Sequence, residues 1–234
     1  MIGVEGWFHG RILGREVIMD FPNETAAYRA ARNKLLESEL ALRRQIEKVA
    51  EQRRALPQGG EVPNDYVFQG KDGQVKLSQL FVKGDTLVAY NFMYGPKMEQ
   101  ACPMCTSILD GLDGNAVHIA QRTNLVVIAK SPLERIVSFA KERGWSQLKL
   151  LSSEKTTYNR DYHGEDAEGR QQPMLNVFHR SGGKIRHTWG SELLDAGADP
   201  GQDPRHADLI WPLWNVLDVT PEGRGKDWRP KLKY

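Results

Sequence analysis

The chain of 234 residues has only two cysteines, no long apolar run and almost no excess charge. Lys and Arg total 32 against 30 Asp and Glu, and the basic residues form no aromatic-studded patch of the kind that binds nucleic acid. No segment approaches the roughly 20 apolar residues of a membrane span, and residues 1–20 lack the pattern of a signal peptide. These absences predict a soluble, cytoplasmic protein with neither nucleic-acid nor membrane partners.

Both cysteines, Cys102 and Cys105, lie in the segment EQACPMCTS at residues 99–107. Cytosolic reductants keep cysteines in the thiol form. A C-x-x-C spacing in a non-exported chain therefore favours redox chemistry or metal binding over a structural disulfide. A metal site needs further ligands, and the sequence has neither a second C-x-x-C nor an H-x-x-x-H motif. We interpret His118, which follows in the same predicted helix, as a structural residue. We therefore expect a reactive dithiol, no metal and no cofactor.

Residues 24–56 predict one long helix because neither Gly nor Pro interrupts them. The helix has a narrow apolar stripe that recurs every seven residues, formed by Tyr28, Leu35, Leu42, Val49 and Leu56. Polar residues interrupt the seam that a coiled coil would need, so the helix either packs along its own domain or pairs with a second copy in a homodimer. We expect an N-terminal arm and long helix over 1–58, a main domain over 59–225 and a C-terminal tail over 226–234.

The main domain alternates predicted strands and helices. A hairpin around KDG is followed by the apolar strands DTLVAYNFMY and NLVVIA, with the cysteine helix between them and DGLDG expected to kink or interrupt that helix. SPLERIVSFAKERGW predicts a helix with Ser131 as N-cap and Gly144 at its end. After a short strand and a polar loop over 152–172 come a Gly-Gly hairpin and a last helix with Trp211 and Trp214 facing inward. The pattern predicts an α/β fold with a central mixed β-sheet flanked by helices.

Cys102 and Cys105 occupy the first turn of a predicted helix that follows a buried strand and a short loop. Free N–H groups and the positive end of the helix dipole stabilise a thiolate there, which lowers a cysteine pKa from about 8.5 to roughly 7 or below. We predict that Cys102 is the nucleophile. Cys105, one turn along and more buried, is the predicted resolving thiol, which attacks the mixed disulfide on Cys102 and releases the reduced partner.

This layout resembles the thioredoxin superfamily. The segment DYVFQGKDGQVKLSQLF resembles the opening hairpin of its peroxiredoxin-like branch. Residues 22–225, with YNFMYGPKMEQACPMC, DGLDG and WPLWNVLDVTPEG, resemble the bacterial thioredoxin-like family named domain of unknown function eight-nine-nine. The resemblance implies a thioredoxin-like fold and a thiol site, and it implies no particular substrate.

Two departures from peroxiredoxins bear on the activity. Those enzymes place Thr or Ser three residues before the reactive cysteine, where this chain has Glu99, whose carboxylate opposes thiolate formation. The nearest candidate for their active-site arginine is Arg170, in a loop. We therefore expect thiol–disulfide exchange with a protein disulfide or a small thiol. Peroxide reduction by the same cysteines is the alternative enzyme, and a non-catalytic thioredoxin-like interaction module is the third interpretation.

Three further residues are candidates for substrate binding. Tyr94 lies between the buried strand and the cysteines, and Met104 lies between the cysteines, at a position that touches partners in thioredoxin-like sites. Pro173 precedes a strand expected beside the cysteine helix, where thioredoxin-like proteins place a cis proline that leaves neighbouring main-chain groups free to pair with a partner peptide. The resemblance implies a cis bond at Pro173; the alternative is a trans proline that only ends the loop before the strand.

Overall fold

The structure is a computed structural model that describes residues 21–202, 207–225 and 227–233. The chain divides into two compact units, Met1–Ala55 and Leu56–Tyr234. The predicted boundaries of the main domain, after residue 58 and after residue 225, stay predictions.

The described part of the first unit is dominated by one helix, α1, at Ala26–Arg54. Thr25 is its N-cap, and the Thr25 hydroxyl oxygen accepts a hydrogen bond of 3.1 Å from the backbone N–H of Tyr28. With 29 residues, α1 is roughly 44 Å long. The predicted long N-terminal helix is confirmed.

The second unit contains a seven-stranded mixed sheet with the order β2-β1-β5-β4-β3-β6-β7. Strands β3, β4 and β5 are parallel, and the remaining pairs are antiparallel. The strands are β1 Val67–Gly70, β2 Gly73–Lys76, β3 Thr86–Phe92, β4 Asn124–Ala129, β5 Leu150–Ser152, β6 Met174–Ser181 and β7 Lys184–Gly190. The predicted thioredoxin-like fold is confirmed.

Among the described residues, four helices accompany the sheet: α2 Pro103–Ile119, α3 Leu133–Arg143, α4 Tyr158–Asp161 and α5 Pro212–Leu217. The same residues include short 3-10 segments at Leu77–Leu80, Glu192–Leu194 and Asp208–Ile210. In the described ranges, no helix is both long enough and apolar enough to cross a membrane.

The sheet separates two hydrophobic cores because alternate residues of a strand point to opposite faces. Tyr90 and Phe92 of β3 join a core with α2, α3 and α5, whereas Leu87 and Ala89 join the second core on the other face. The prediction that this strand is covered on both faces is correct.

Helix α2 runs without interruption through DGLDG, so the expected break there is wrong. Gly111 faces α5, where a Cβ atom would lie 3.4 Å from the Pro212 ring. Asp110 accepts hydrogen bonds from Arg143 and from the Trp145 indole, at 2.6 and 2.7 Å. Gly111 and Asp110 thus make contacts between α2 and neighbouring segments. These contacts stabilise the helix and offset the low helix propensity of Gly and Asp.

Helix α3 ends at Gly144, which has φ +77° and caps the helix in the left-handed conformation, as predicted. Its start differs from the prediction, since the N-cap is Pro132 and not Ser131. The Ser131 N–H instead donates to the Tyr94 carbonyl at 3.0 Å, and the residue is fully buried. This bond ties the start of α3 to the loop that precedes the cysteines.

Candidate dithiol site

The site is built where β3 ends and α2 begins. Cys102 is the N-cap of α2, and Pro103 takes the first helical position. The Cys102 N–H donates to the Met93 carbonyl at 3.1 Å, which closes the intervening loop. Both cysteines are free thiols; Cys102 is half-buried and Cys105 is 2% exposed. The start of α2 therefore leaves Cys102 partly accessible to solvent and buries Cys105.

The two thiols have opposite electrostatic surroundings. A hydrogen bond from the Cys105 side chain lowers the pKa of Cys102 to about 6; burial opposes this, and the N–H groups of Cys105 and Met104 add to the lowering. Burial, together with the hydrogen bond to Cys102, raises the pKa of the Cys105 thiol well above its usual value. At neutral pH the Cys102 sulfur is a thiolate that accepts a hydrogen bond from the Cys105 thiol.

Tyr90 lies beneath the cysteines and was missed in the sequence. Its side chain is fully buried in the same core as Cys105, and it opposes the rise in the pKa of the Cys105 thiol. Burial and the neighbouring Cys105 raise the pKa of Tyr90 well above its usual value, so the hydroxyl keeps its proton. In the sequence, Tyr90 is an aromatic residue in an apolar strand, and nothing distinguishes it from an ordinary core residue.

The loop before Cys102 is held by Arg135 of α3, which was also missed. The Arg135 guanidinium donates to the carbonyls of Gly95 at 3.1 Å and Glu99 at 3.0 Å, and also to the Met98 carbonyl. The guanidinium carbon lies 4.3 Å from the centre of the Tyr94 ring. Because 40 residues separate Arg135 from Gly95, no local pattern in the sequence marks this contact.

A family model described as bacterial protein of unknown function (DUF899) matches residues 19–234. The chain belongs to this family. No curated protein matches the chain.

Solved structures similar to this DUF899 chain include a thioredoxin peroxidase I of Plasmodium yoelii. It is 18% identical with a TM-score of 0.43, and the match covers 75% of this chain and 100% of that one. A 2-Cys peroxiredoxin of Plasmodium vivax is 16% identical, with a TM-score of 0.44 and coverage of 69% and 96%. A pneumococcal exposed lipoprotein thioredoxin, Etrx1 of Streptococcus pneumoniae, is 14% identical, with a TM-score of 0.39 and coverage of 53% and 87%.

The structure brings two of the three predicted substrate-binding residues close to the dithiol of the DUF899 chain. Met104 is partly exposed in the first turn of α2, and its N–H points to the Cys102 sulfur. Tyr94 is 6% exposed and packs in the same core as Cys105, beneath Arg135. Their contact with substrate stays a prediction.

Pro173 directly precedes β6, which pairs with β3, with Met174 opposite Asn91. The described residues contain no cis peptide bond, so Pro173 takes the trans alternative and the cis bond that the resemblance implies is absent. The preceding residue is held by the polar loop, because the Gln172 N–H donates to the Gly164 carbonyl at 2.9 Å. The polar loop thus holds the chain where it enters β6. Whether Pro173 contacts a substrate stays a prediction.

Other polar groups lie apart from the dithiol. Arg170 pairs with Asp166 and Glu168 on an exposed loop. Pro173 lines a cavity of about 230 Å³ with His163 and acidic side chains, and Cys102 is not part of that lining. Among the described residues, no group of three His, Cys, Asp or Glu side chains is arranged to hold a metal ion.

Proposed function

We propose that the protein is a thiol–disulfide oxidoreductase with Cys102 as nucleophile and Cys105 as resolving thiol. The observation that carries the proposal is the pair of opposite thiols: a half-exposed Cys102 thiolate at a helix N-terminus, next to a buried and protonated Cys105. The accessible Cys102 thiolate can attack a substrate first, and the buried Cys105 thiol is kept for the later attack on the mixed disulfide.

The reaction follows from these two states. The Cys102 thiolate attacks a substrate disulfide, a new S–S bond joins Cys102 to one substrate sulfur, and the other leaves as a thiolate that takes a proton from solvent. Cys105 then loses its proton and attacks the Cys102 sulfur, which releases the second substrate thiolate. The dithiol loses two electrons and the substrate gains two. A cellular thiol reductant restores the dithiol.

The surroundings of Cys102 favour a disulfide over a peroxide as substrate. Glu99 holds the position at which peroxiredoxins carry a hydroxyl, and its carbonyl is bound by Arg135. Arg135 directs its donors to loop carbonyls, and Arg170 pairs with carboxylates. Cys102 is half-buried and its sulfur side of the site is not closed off, which fits attack on a protein disulfide or a small thiol.

The proposal extends to assembly and location. Helix α1 buries no residue within its unit, and its apolar stripe with a seven-residue repeat fits pairing with a second copy of the chain in a homodimer. Two free thiols fit a reducing compartment, for which we propose the cytoplasm.

A disulfide-reduction assay on insulin, run beside peroxide consumption, tests the function. We expect the reduced protein to cleave the insulin disulfides, Cys102→Ser to abolish cleavage, and Cys105→Ser to stay covalently bound to its substrate. Peroxide consumption without disulfide cleavage would replace the proposal with a peroxidase. No reaction in either assay, with a Cys102 pKa near the free value, would support the interaction module.

A further inference from the structure

A cavity of about 940 Å³, the hairpin groove, lies at the end of the sheet opposite the dithiol. It is lined by residues from 70–75 of the first hairpin, 137–141 of α3 and 145–151. The N–H of Cys102 is bound to the carbonyl of Met93, which directly follows the carboxyl end of β3. Strands β3, β4 and β5 are parallel, and the groove borders the amino end of β5 at Leu150. A ligand in the groove is therefore separate from the disulfide that Cys102 attacks.

The hairpin groove has an apolar wall that the fold leaves uncovered. In the described strands, β1 and β5 share a single register pair, Gln69 with Ser152, so the hairpin turn is not paired with the start of β5. The wall is formed by the apolar side chains Val75, Val137, Ala140, Trp145, Leu148 and Leu150. The Trp145 indole N–H already donates to Asp110 at 2.7 Å, and Val137 is 42% exposed. An apolar ligand gains free energy here by covering surface that water otherwise contacts.

Three lysines line the same groove, each from a different segment. Lys71 lies in the hairpin turn, Lys141 in the last turn of α3 and Lys149 directly before β5. All three are exposed, and none of them forms an ion pair with another described residue. Among the described residues of the lining, Asp72 is the single carboxylate, so positive charge is in excess. A cleft with an excess of one charge raises the local concentration of ions of the opposite charge.

We propose that the hairpin groove binds a free fatty carboxylate. The alkyl chain covers the apolar wall, and the three lysines attract the carboxylate head. The volume of the groove lies within the roughly 300–1,000 Å³ of sites that bind small molecules. A cationic head on the same chain is repelled by the lysines, and a short anion without the chain gains only exposed ion pairs, which are weak. The groove therefore selects a ligand that carries both an alkyl chain and a negative head.

Equilibrium dialysis of the full chain against radiolabelled dodecanoate, kept below its micelle concentration, tests the proposal. We expect saturable binding with a Kd of about 100 μM or tighter. Dodecyltrimethylammonium, with the opposite charge, and acetate, without the chain, should each bind at least about tenfold more weakly. Replacing the three groove lysines together by Gln should weaken dodecanoate binding about tenfold or more. The matched control replaces three exposed lysines outside the lining by Gln: Lys83, Lys97 and Lys155.

Each other outcome overturns the proposal. Dodecanoate that does not bind saturably excludes a fatty carboxylate, and equal affinity for either of the other two probes excludes selection by chain and charge together. Equal weakening by the two triple variants would remove the ligand from the groove. Should a triple variant not fold, the comparison of the three probes still decides, because it uses the unchanged chain. Insulin cleavage by the groove variant should stay unchanged, and a parallel loss would contradict a site separate from the dithiol.

Discussion

Replacing Cys105 by Ala should raise the pKa of Cys102, whereas replacing it by Ser should keep most of the shift. The Cys105 side chain is the largest cause of the lowered pKa of Cys102. A Ser hydroxyl still donates a hydrogen bond to the Cys102 sulfur, and an Ala methyl does not. The backbone N–H groups of Met104 and residue 105 remain in both variants, so the pair isolates the side-chain hydrogen bond.

The expected magnitude follows from the strength of that bond. A hydrogen bond to a charged group contributes about 1.5–3 kcal/mol, or about one to two pKa units. The Ala variant should therefore titrate at about 7 to 8, compared with about 6 for Cys102 beside Cys105. Cys102 is a thiolate at pH values above its pKa, and it takes up a proton as the pH falls through the pKa. At about pH 6 the thiolate fraction should fall from about one half to below about one tenth.

The same reasoning predicts that the two pH profiles cross. A thiolate of higher pKa is the stronger nucleophile, so at about pH 9, where both variants are ionised, the Ala variant should react about three- to tenfold faster. Stopped-flow alkylation with iodoacetamide measures this directly, since Cys102 is the only thiol in each variant. Equal midpoints near 6 would assign the shift to the backbone N–H groups. Midpoints near 8.5 in both would refute the stabilised thiolate.

Three further perturbations test the support of the site and the fold. Arg135→Gln removes donors to three loop carbonyls and should lower the free energy of unfolding by about 1.5–3 kcal/mol and slow alkylation of Cys102. Arg170→Gln, on an exposed loop, should change unfolding by less than about 1 kcal/mol. Gly59→Ala would place a Cβ 1.7 Å from a β7 carbonyl oxygen and should cost about 1–3 kcal/mol in urea denaturation, whereas Gly60→Ala meets open space. Deleting residues 1–58 should leave a monomer in solution, by mass, if α1 forms the dimer.

Each of these perturbations has an outcome that contradicts it. Equal effects of the two arginine variants would remove Arg135 from the support of the loop. Equal denaturation midpoints for the two glycine variants would contradict the close packing against β7. An unchanged oligomer after deletion would exclude α1 as the main contact.

The elements that depend on local pattern were predicted well. The long uninterrupted helix, the apolar run of β3 and the end of α3 at Gly144 each follow from neighbouring residues alone. The position of Cys102 at a helix start belongs to the same class, because a strand, a short loop and a proline lie within one segment. Local signals suffice here because periodicity and capping act over a few residues.

The errors fall where tertiary contacts outweigh local preference. The polar loop over 152–172 contains the short helix α4, whose Tyr158 is fully buried against aromatic residues of the second core. The glycines and aspartates of DGLDG stay helical because α2 meets other elements there. The polar loop also sets a trans path at Pro173. In the first two cases the deciding contact lies far away in sequence, whereas at Pro173 it lies within the same loop.

The sequence by itself determined the sheet and helices, the free dithiol and which cysteine lies at the helix start, because these depend on spacing within short segments. Only the tertiary structure decided what surrounds the two sulfurs. Packing α2 on β3 buries Tyr90 and Cys105 in one core, and packing α3 beside the loop places Arg135 on the Gly95 carbonyl. Tyr90 and Arg135 act on the site through contacts across 15 and 40 residues of sequence, and a residue's type and neighbours do not reveal contacts that form only when separate elements pack together.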